Sequence, residues 1–239
     1  MTGIIISLLI VPLFSALLVF MIPKSRKEIF RPIGIIFSLI TLTQCFYLIF
    51  SDYGKTKFVI LSNYKWIQSY GLEISFGISG MSTLLLLLTS LLICVSLLSI
   101  GNEHAESKGF IGSLLALHFA INGVFISGDL ISLFIFFEAL LIPMYFLMGI
   151  WGGENRRYAT IKFILYTVFG SVFIFIGTVY TAVISYGANG SLAVDFDSLA
   201  NLALTSSQSK TLFLLFTFGF LIKVPIFPLH TWLPDAHVE

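Results

Sequence analysis

The chain has 239 residues, of which 57% are hydrophobic and only 10% are charged, and its mean hydropathy is +1.00. Soluble domains carry about 25% charged residues, so this composition excludes a water-exposed globular surface. The net charge of +1 favours neither nucleic acid nor an acidic partner. Cys45 and Cys94 lie in apolar runs without metal-binding spacing, which predicts apolar filler rather than a metal site or a disulfide.

Seven apolar segments follow one another along the chain, and each of the first six can cross about 30 Å of hydrocarbon as a helix. A helix pairs its own backbone groups, as a membrane-spanning segment must. The sequence therefore predicts an all-α, polytopic transmembrane bundle of about seven helices. The predicted segments are residues 3–22, 30–50, 80–100, 110–127, 129–150, 161–186 and 211–224.

The linkers between these segments carry two further signals. Linker 51–79 is long, contains glycines and predicts a short hairpin, and its Tyr53, Tyr64, Trp66 and Tyr70 suit a membrane interface. Basic residues favour the loops after the first, third and fifth segments by eight to four. The positive-inside rule therefore predicts that these loops face the inner side and that the N-terminus lies outside.

Glu138 lies near the middle of the fifth segment, between phenylalanine and leucine residues. An ionised acid at mid-membrane costs about 2.5–3.5 kcal/mol on insertion scales, so it must be paired, protonated or reached by water. Pro143 has no N–H to donate to the carbonyl of Ala139, which predicts a kink beside Glu138. Two interpretations stay open: a carboxyl that handles a proton or ion, and a structural carboxyl bonded between helices.

Lys223 ends the seventh segment, directly before Pro225 and Pro228, which prevent a regular helix. A broken membrane helix is tolerated where it lines a cavity or is buried in protein. Lys223 is the natural counter-charge for Glu138, and a lysine–glutamate pair whose separation changes can load and unload a proton. A static ion pair is the alternative.

Four more residues are candidates for a proton relay. His118 lies inside the fourth segment, and its imidazole either relays protons or forms a structural hydrogen bond between helices. Three polar residues follow the helix break: His230, Asp235 and His237. We expect them to line the inner end of a water-filled path. A metal site at these three residues is the weaker alternative, because their spacing does not match a metal motif.

Other residues predict structural roles. We expect Asp129, just after Gly128, to cap a helix. We expect the side chain of Lys162, at the start of the sixth segment, to reach to the membrane surface. The sequence has no glycine-rich phosphate loop, no cysteine cluster, no haem-type histidine pair and no nucleophile elbow. We therefore expect no redox or hydrolytic centre, no cofactor and no metal in this chain.

Two stretches resemble one protein family. Residues 127–153 read Ser-Gly-Asp-Leu-Ile-Ser-Leu-Phe-Ile-Phe-Phe-Glu-Ala-Leu-Leu-Ile-Pro-Met-Tyr-Phe-Leu-Met-Gly-Ile-Trp-Gly-Gly. Residues 223–239 read Lys-Val-Pro-Ile-Phe-Pro-Leu-His-Thr-Trp-Leu-Pro-Asp-Ala-His-Val-Glu. Both resemble chain 4 of NADH–ubiquinone oxidoreductase, an antiporter-like membrane-arm subunit of respiratory complex I. The related chains 2 and 5 and the multisubunit cation/proton antiporters carry variants, and the Ala-His-Val ending favours chain 4.

The resemblance implies half of a fold built from two inverted five-helix repeats within about fourteen helices. Residues 1–108 would form the first three helices, and residues 109–239 the first repeat, incomplete at its broken seventh helix. The glutamate and lysine of the family's proton channel match Glu138 and Lys223. NADH oxidation elsewhere in the complex drives proton transfer in this family, which implies membership of a proton-translocating NADH:ubiquinone reductase.

The resemblance also implies the surroundings of the chain. The FMN, iron–sulfur clusters and ubiquinone belong to other parts of the complex. The expected partners are other membrane-arm subunits, especially those like chains 2 and 5, together with lipids and no nucleic acid. The 25 phenylalanines fit an AT-rich organelle genome, so the mitochondrial inner membrane is expected ahead of a bacterial inner membrane.

Two departures from the family pattern stand out. Ser79 occupies the position of the family's usual acid, and the chain stops at Glu239, at about half the family's length. The early stop predicts a split gene whose other half is a separate chain, with an incomplete sequence as the alternative. For the function, the alternatives are a subunit of a multisubunit Na⁺/H⁺ antiporter and a scaffold whose channel has decayed.

Overall fold

The computed structural model describes residues 2–50 and 58–238. In these residues six helices are long and apolar enough to cross a membrane, and they match the first six predicted segments. Tyr53, Lys55 and Lys57 lie outside the described residues. The α-helices are α1 (Thr2–Met21), α2 (Phe30–Phe50), α3 (Gly80–Ser99), α4 (Asn102–Ala105), α5 (Lys108–Ile126), α6 (Leu130–Ala139), α7 (Leu141–Trp151), α8 (Arg156–Asn189), α9 (Phe196–Ala200), α10 (Ser206–Lys223) and α11 (Trp232–Val238).

A hairpin occupies the long linker, as predicted. Strand β1 (Val59–Ile67) pairs antiparallel with β2 (Leu72–Ile78), and the connection ends at Gly71, whose φ of 68° favours glycine. Strand β2 continues the chain directly into α3. The side chain of Ser79 caps α3 by accepting a hydrogen bond from the N–H of Ser82, so the position without the family acid still has a local role.

The bundle is apolar outside and rich in small polar residues inside. Large side chains such as Leu165, Phe213 and Leu214 are about two-thirds exposed, as suits contact with lipid. Buried positions hold serines and threonines whose hydroxyls donate to carbonyls one turn earlier, as Thr167 and Ser171 do in α8. This distribution confirms the predicted polytopic membrane bundle.

Helices α8 and α10 pack side by side through two glycines. A Cβ atom on Gly219 would lie 2.8 Å from the carbonyl oxygen of Gly170, so the backbones approach too closely for a larger residue. Helix α8 is longer than predicted, because it begins at Arg156 and ends at Asn189. The division of the chain at residue 108 and the orientation in the membrane stay predictions.

The predicted break after Lys223 is confirmed. Helix α10 ends at Lys223, and residues 224–231 form turns before α11 begins at Trp232. The indole N–H of Trp232 donates to the carbonyl of Ile222 at 2.9 Å. The carbonyls at a helix end have no intrahelical partner, so this bond stabilises the interrupted helix and ties α11 to it.

Candidate functional site

The structure brings Glu138 and Lys223 together. Lys223 Nζ lies 3.3 Å from Glu138 Oε1, and the Lys223 side chain is 7% exposed against 29% for Glu138. The ammonium also lies 4.1 Å from the centroid of the Phe137 ring, where the face of the ring attracts a cation. Two charges that would each be costly in hydrocarbon therefore compensate each other.

Both residues lie where a helix is interrupted. Glu138 is in the last turn of α6, and the hydrogen-bond pattern breaks at Leu140, three residues before Pro143. Leu140 keeps helical angles of φ −61° and ψ −32°, and the bonds from Leu140 N–H to Phe136 and from Met144 N–H to Leu140 are made. The predicted kink beside Glu138 is therefore wrong: the missing donor of Pro143 interrupts the hydrogen bonding and leaves the direction of the helix unchanged. Lys223 is the last residue of α10, where the negative end of the helix dipole stabilises a cation.

A second ion pair joins α8 to α11. Lys162 Nζ lies 2.6 Å from Asp235 Oδ2, with side-chain exposures of 21% and 37%. The prediction that Lys162 begins its helix is wrong, because α8 starts six residues earlier. That its side chain reaches to the membrane surface stays a prediction, and its ammonium donates to Asp235. Nothing in the local sequence around Lys162 indicates this partner, which lies 73 residues away.

The two histidines after the break differ in their surroundings. His230 has a buried Nδ1 without a hydrogen-bond partner among the described residues, and its ring lies 5.5 Å from that of Phe227. His237 is exposed on α11. The structure does not bring either histidine into a group of three or more metal-ligating side chains within residues 2–50 and 58–238.

His118 faces the N-terminal helices. Its Nε2 lies 3.2 Å from Ser90 Oγ on α3, and that hydroxyl lies 3.7 Å from Cys45 Sγ on α2. One turn further along α5, Asn122 donates to the carbonyl of Leu8 at 2.9 Å. The described hydrogen bond of His118 therefore runs away from the Glu138–Lys223 pair.

Asp129 caps α6, as predicted, and also holds the hairpin. Its carboxylate accepts hydrogen bonds from the N–H of Ser132 at 2.7 Å and from the N–H of Ser75 at 2.8 Å, and the side chain is fully buried. The N–H of Gly128 donates to the carbonyl of Ser75 at 2.8 Å. The turn that begins the Glu138 helix is therefore clamped by a strand 54 residues earlier, which sequence spacing did not indicate.

The fold and the paired charges define a class, a polytopic membrane protein with an ion pair at two interrupted helices. Residues 127–239 match the family described as NADH:quinone oxidoreductase/Mrp antiporter, TM. This match contains Glu138, Lys223 and both interruptions.

Curated relatives match almost the whole chain. Chain 4 1 of the NAD(P)H-quinone oxidoreductase of Picosynechococcus sp. is 38% identical over 95% of this chain and 42% of its own length. Subunit M of the NADH-quinone oxidoreductase of Rickettsia conorii is 34% identical over 95% of this chain and 47% of its own. The chain is similar to these chain 4 and subunit M proteins and spans about half the length of the relatives it matches.

Solved structures agree with this similarity. A chain of respiratory complex I from Thermus thermophilus with bound NADH has a TM-score of 0.83 and 26% identity over 98% of this chain and 46% of its own. A chain of the Mrp complex from Dietzia sp. has a TM-score of 0.82 at 23% identity over 99% of this chain and 44% of its own, which shows the shared fold. The similar fold and the six apolar helices show a multi-pass membrane protein. The relatives include bacterial proteins and the chloroplast chain 4 of Lolium perenne, so the comparisons do not select the mitochondrion.

Proposed function

We propose that this chain forms part of the proton-translocating membrane arm of an NADH-quinone oxidoreductase, with Glu138 and Lys223 as its proton-transfer pair. The observation that carries the proposal is their 3.3 Å contact at two interrupted helices in an apolar bundle. The similarity to chain 4 and subunit M of quinone oxidoreductases supports the assignment to this enzyme.

The chemistry follows from the cost of an unpaired charge in a medium of low polarity. While Lys223 is protonated, its charge stabilises the ionised form of Glu138. If Lys223 loses its proton to a neighbouring site, Glu138 is left as an uncompensated anion and favours protonation. The protonation of Glu138 and Lys223 therefore depends on the distance between them. A change in that distance drives a proton onto or off the pair.

The proposed relay residues receive different support. The buried Nδ1 of His230 has no hydrogen-bond partner among the described residues, so it can accept a proton from a water molecule. Asp235 is half-exposed and accepts a hydrogen bond from Lys162, and His237 is exposed on α11. His118 likewise has a buried Nδ1 without a described partner, and its Nε2 lies beside Ser90 on α3.

The wider assembly also belongs to this proposal. The FMN, iron–sulfur clusters and quinone would lie in other subunits, and neighbours like chains 2 and 5 would flank this chain. A separate chain that supplies the C-terminal half stays a prediction, and the identity of the polypeptides that co-purify with this chain tests it. Location in the mitochondrial inner membrane likewise stays a prediction, which fractionation of the cells would test.

The decisive experiment replaces Glu138 with Gln and measures protons pumped per NADH oxidised by the complex in closed vesicles. Gln keeps the shape of the side chain and removes the exchangeable charge, so we expect pumping to fall. Glu154→Gln is the matched control, because Glu154 is an exposed carboxyl in the loop between α7 and α8. Unchanged pumping in the Glu138 variant would overturn the assignment.

A second candidate is a subunit of a multisubunit Na⁺/H⁺ antiporter. The fold shared with the Mrp chain favours it. Collapse of the sodium gradient alone distinguishes the two functions: proton movement that stops supports the antiporter, and proton movement that continues with NADH oxidation supports the oxidoreductase.

A further inference from the structure

Helices α7 and α8 leave a cleft of about 380 Å³ between them at the end of the bundle where they are joined. Apolar side chains line it on both helices: Tyr145, Phe146 and Ile150 on α7, and Ile161 on α8. These four side chains are 43–58% exposed, so no described part of the chain covers them. The cleft therefore presents a continuous apolar surface at membrane depth.

A single cation lies at the membrane-surface end of this cleft. Arg157 lines it from the first turn of α8, where the helix leaves the polar loop, and is exposed. Within residues 2–50 and 58–238 the structure gives Arg157 no hydrogen bond or ion pair. The neighbouring Arg156 differs, because its Nη1 donates to the carbonyl of Gly152 at 3.2 Å. Arg157 is therefore the cation that remains available to an anion.

We propose that the α7–α8 cleft is a binding site for one anionic phospholipid of the bilayer. The phosphate would lie on the guanidinium of Arg157, which matches phosphate geometry with two parallel N–H donors. One acyl chain would lie along the four apolar side chains. The first turn of α8, which carries both arginines, belongs to the predicted inner face, where anionic lipids concentrate.

The headgroup must supply the selectivity. An acyl chain gains little by leaving other acyl chains for an apolar cleft, because both surroundings are hydrocarbon. Because Arg157 attracts a negatively charged headgroup, the site binds an anionic phospholipid more tightly than a zwitterionic one. This site does not depend on the proposed proton transfer, so each proposal can fail alone.

The chain offers a matched set of variants. Arg157→Gln removes the anchoring cation, and Arg156→Gln removes an adjacent charge that is already bonded to Gly152. Gly149→Leu fills the cleft from inside: a Cβ atom at Gly149 meets Thr160 at 3.6 Å, an ordinary contact, so the backbone has room for it. The amount of each variant in the membrane is measured alongside binding to show that it folds.

The test uses native membranes that contain the full protein and its partners. Phosphatidylglycerol and phosphatidylcholine, each with a photoreactive group in the acyl chain, are added separately, and labelled residues are located by mass spectrometry. We expect phosphatidylglycerol to label α7 and α8 at the cleft more than phosphatidylcholine does. Arg157→Gln should lower this label roughly fivefold, the preference that one basic residue gives at an anionic surface.

The controls separate the outcomes. Arg156→Gln should keep the label, and Gly149→Leu should remove it. Equal labelling by both lipids, or an equal loss in the two arginine variants, would show general attraction to the surface and overturn the proposal. An absence of label in the unaltered protein, with a protein cross-link at Ile150 instead, would show that a partner subunit covers the cleft and would also overturn it.

Discussion

The N-terminal helices and the helices from α6 onwards bury polar groups in different ways. In α1, α2, α3 and α5 the buried polar side chains are serine, threonine, histidine and asparagine, with no Asp, Glu, Lys or Arg among the described residues. The contacts among Cys45, Ser90 and His118 are an example. From α6 onwards the structure places two ion pairs at or near membrane depth, Glu138–Lys223 and Lys162–Asp235.

Helix interruptions account for the position of the first of these pairs. Helices α1, α2, α3 and α5 run without a break. Pro12 of α1 has no N–H to offer the carbonyl of Leu8, and the neutral side chain of Asn122 on α5 donates to that carbonyl instead. Glu138 precedes Ala139, whose carbonyl has no helical donor because residue 143 is proline, and Lys223 is the last residue of α10. A charged side chain in hydrocarbon needs a partner, whereas a hydroxyl can bond to a carbonyl one turn earlier in an intact helix. The Glu138–Lys223 pair therefore lies at helix breaks, whereas Lys162 lies within the continuous helix α8 and pairs with Asp235 on α11.

The largest effect should come from Lys223→Ala, which leaves Glu138 without its counter-charge. Removal of one partner of a buried ion pair costs about 3–5 kcal/mol, and the 29% exposure of Glu138 favours the lower end of this range. Thermal unfolding of the purified complex measures the loss. The double variant Glu138→Gln with Lys223→Met should recover stability without recovering pumping. If Lys223→Ala is as stable as the unaltered protein, the pair contributes no stability.

Asp129→Ala tests whether hydrogen bonds alone can hold a buried carboxylate. The change removes the cap of α6 and the contact with Ser75, so we expect a loss of about 2 kcal/mol in the free energy of unfolding. Asp195→Ala is the matched control, because Asp195 caps α9 by accepting from the N–H of Ser198 and should cost about 1 kcal/mol. Equal losses would mean that the hairpin contact adds nothing.

Lys162→Gln should have a smaller effect than Lys223→Ala, although the Lys162–Asp235 distance is shorter. Both side chains are partly exposed, and such pairs contribute about 0.2–1 kcal/mol. The unfolding temperature at low and high salt measures this, since salt screens an exposed pair. An exchange of the two residues, Lys162→Asp with Asp235→Lys, should restore part of the loss. A loss as large as that of Lys223→Ala would contradict the comparison.

His118→Gln should have the smallest effect on proton pumping. Gln can still bond to Ser90, and the described hydrogen bond of His118 lies among the N-terminal helices, away from Glu138. We expect protons pumped per NADH to stay at the level of the unaltered protein. Asn122→Leu in the same helix is the control for packing, since Asn122 bonds only to the carbonyl of Leu8 among described contacts. Pumping that falls as far as in Glu138→Gln would place His118 on the proton path.

The amino-acid sequence by itself determined the membrane helices and both interruptions. Apolar length predicts a spanning helix because hydrocarbon leaves the backbone no other partner. Pro143 and Pro225 predict the breaks because proline has no N–H to donate. Charge balance at membrane depth also paired Glu138 with Lys223, 85 residues apart. Each of these inferences depends on the chemistry of a short segment or of a single buried charge.

Only the tertiary structure decided which distant partners meet. The pairing of Lys162 with Asp235, the clamp of Ser75 on Asp129 and the apolar cleft beside Arg157 depend on how each helix is rotated and packed. A uniformly apolar helix surface does not indicate which of its sides faces protein and which faces lipid, because both surroundings are hydrocarbon-like. Packing of small residues such as Gly170 against Gly219 sets that rotation, and contacts of this kind are visible only when the helices are assembled.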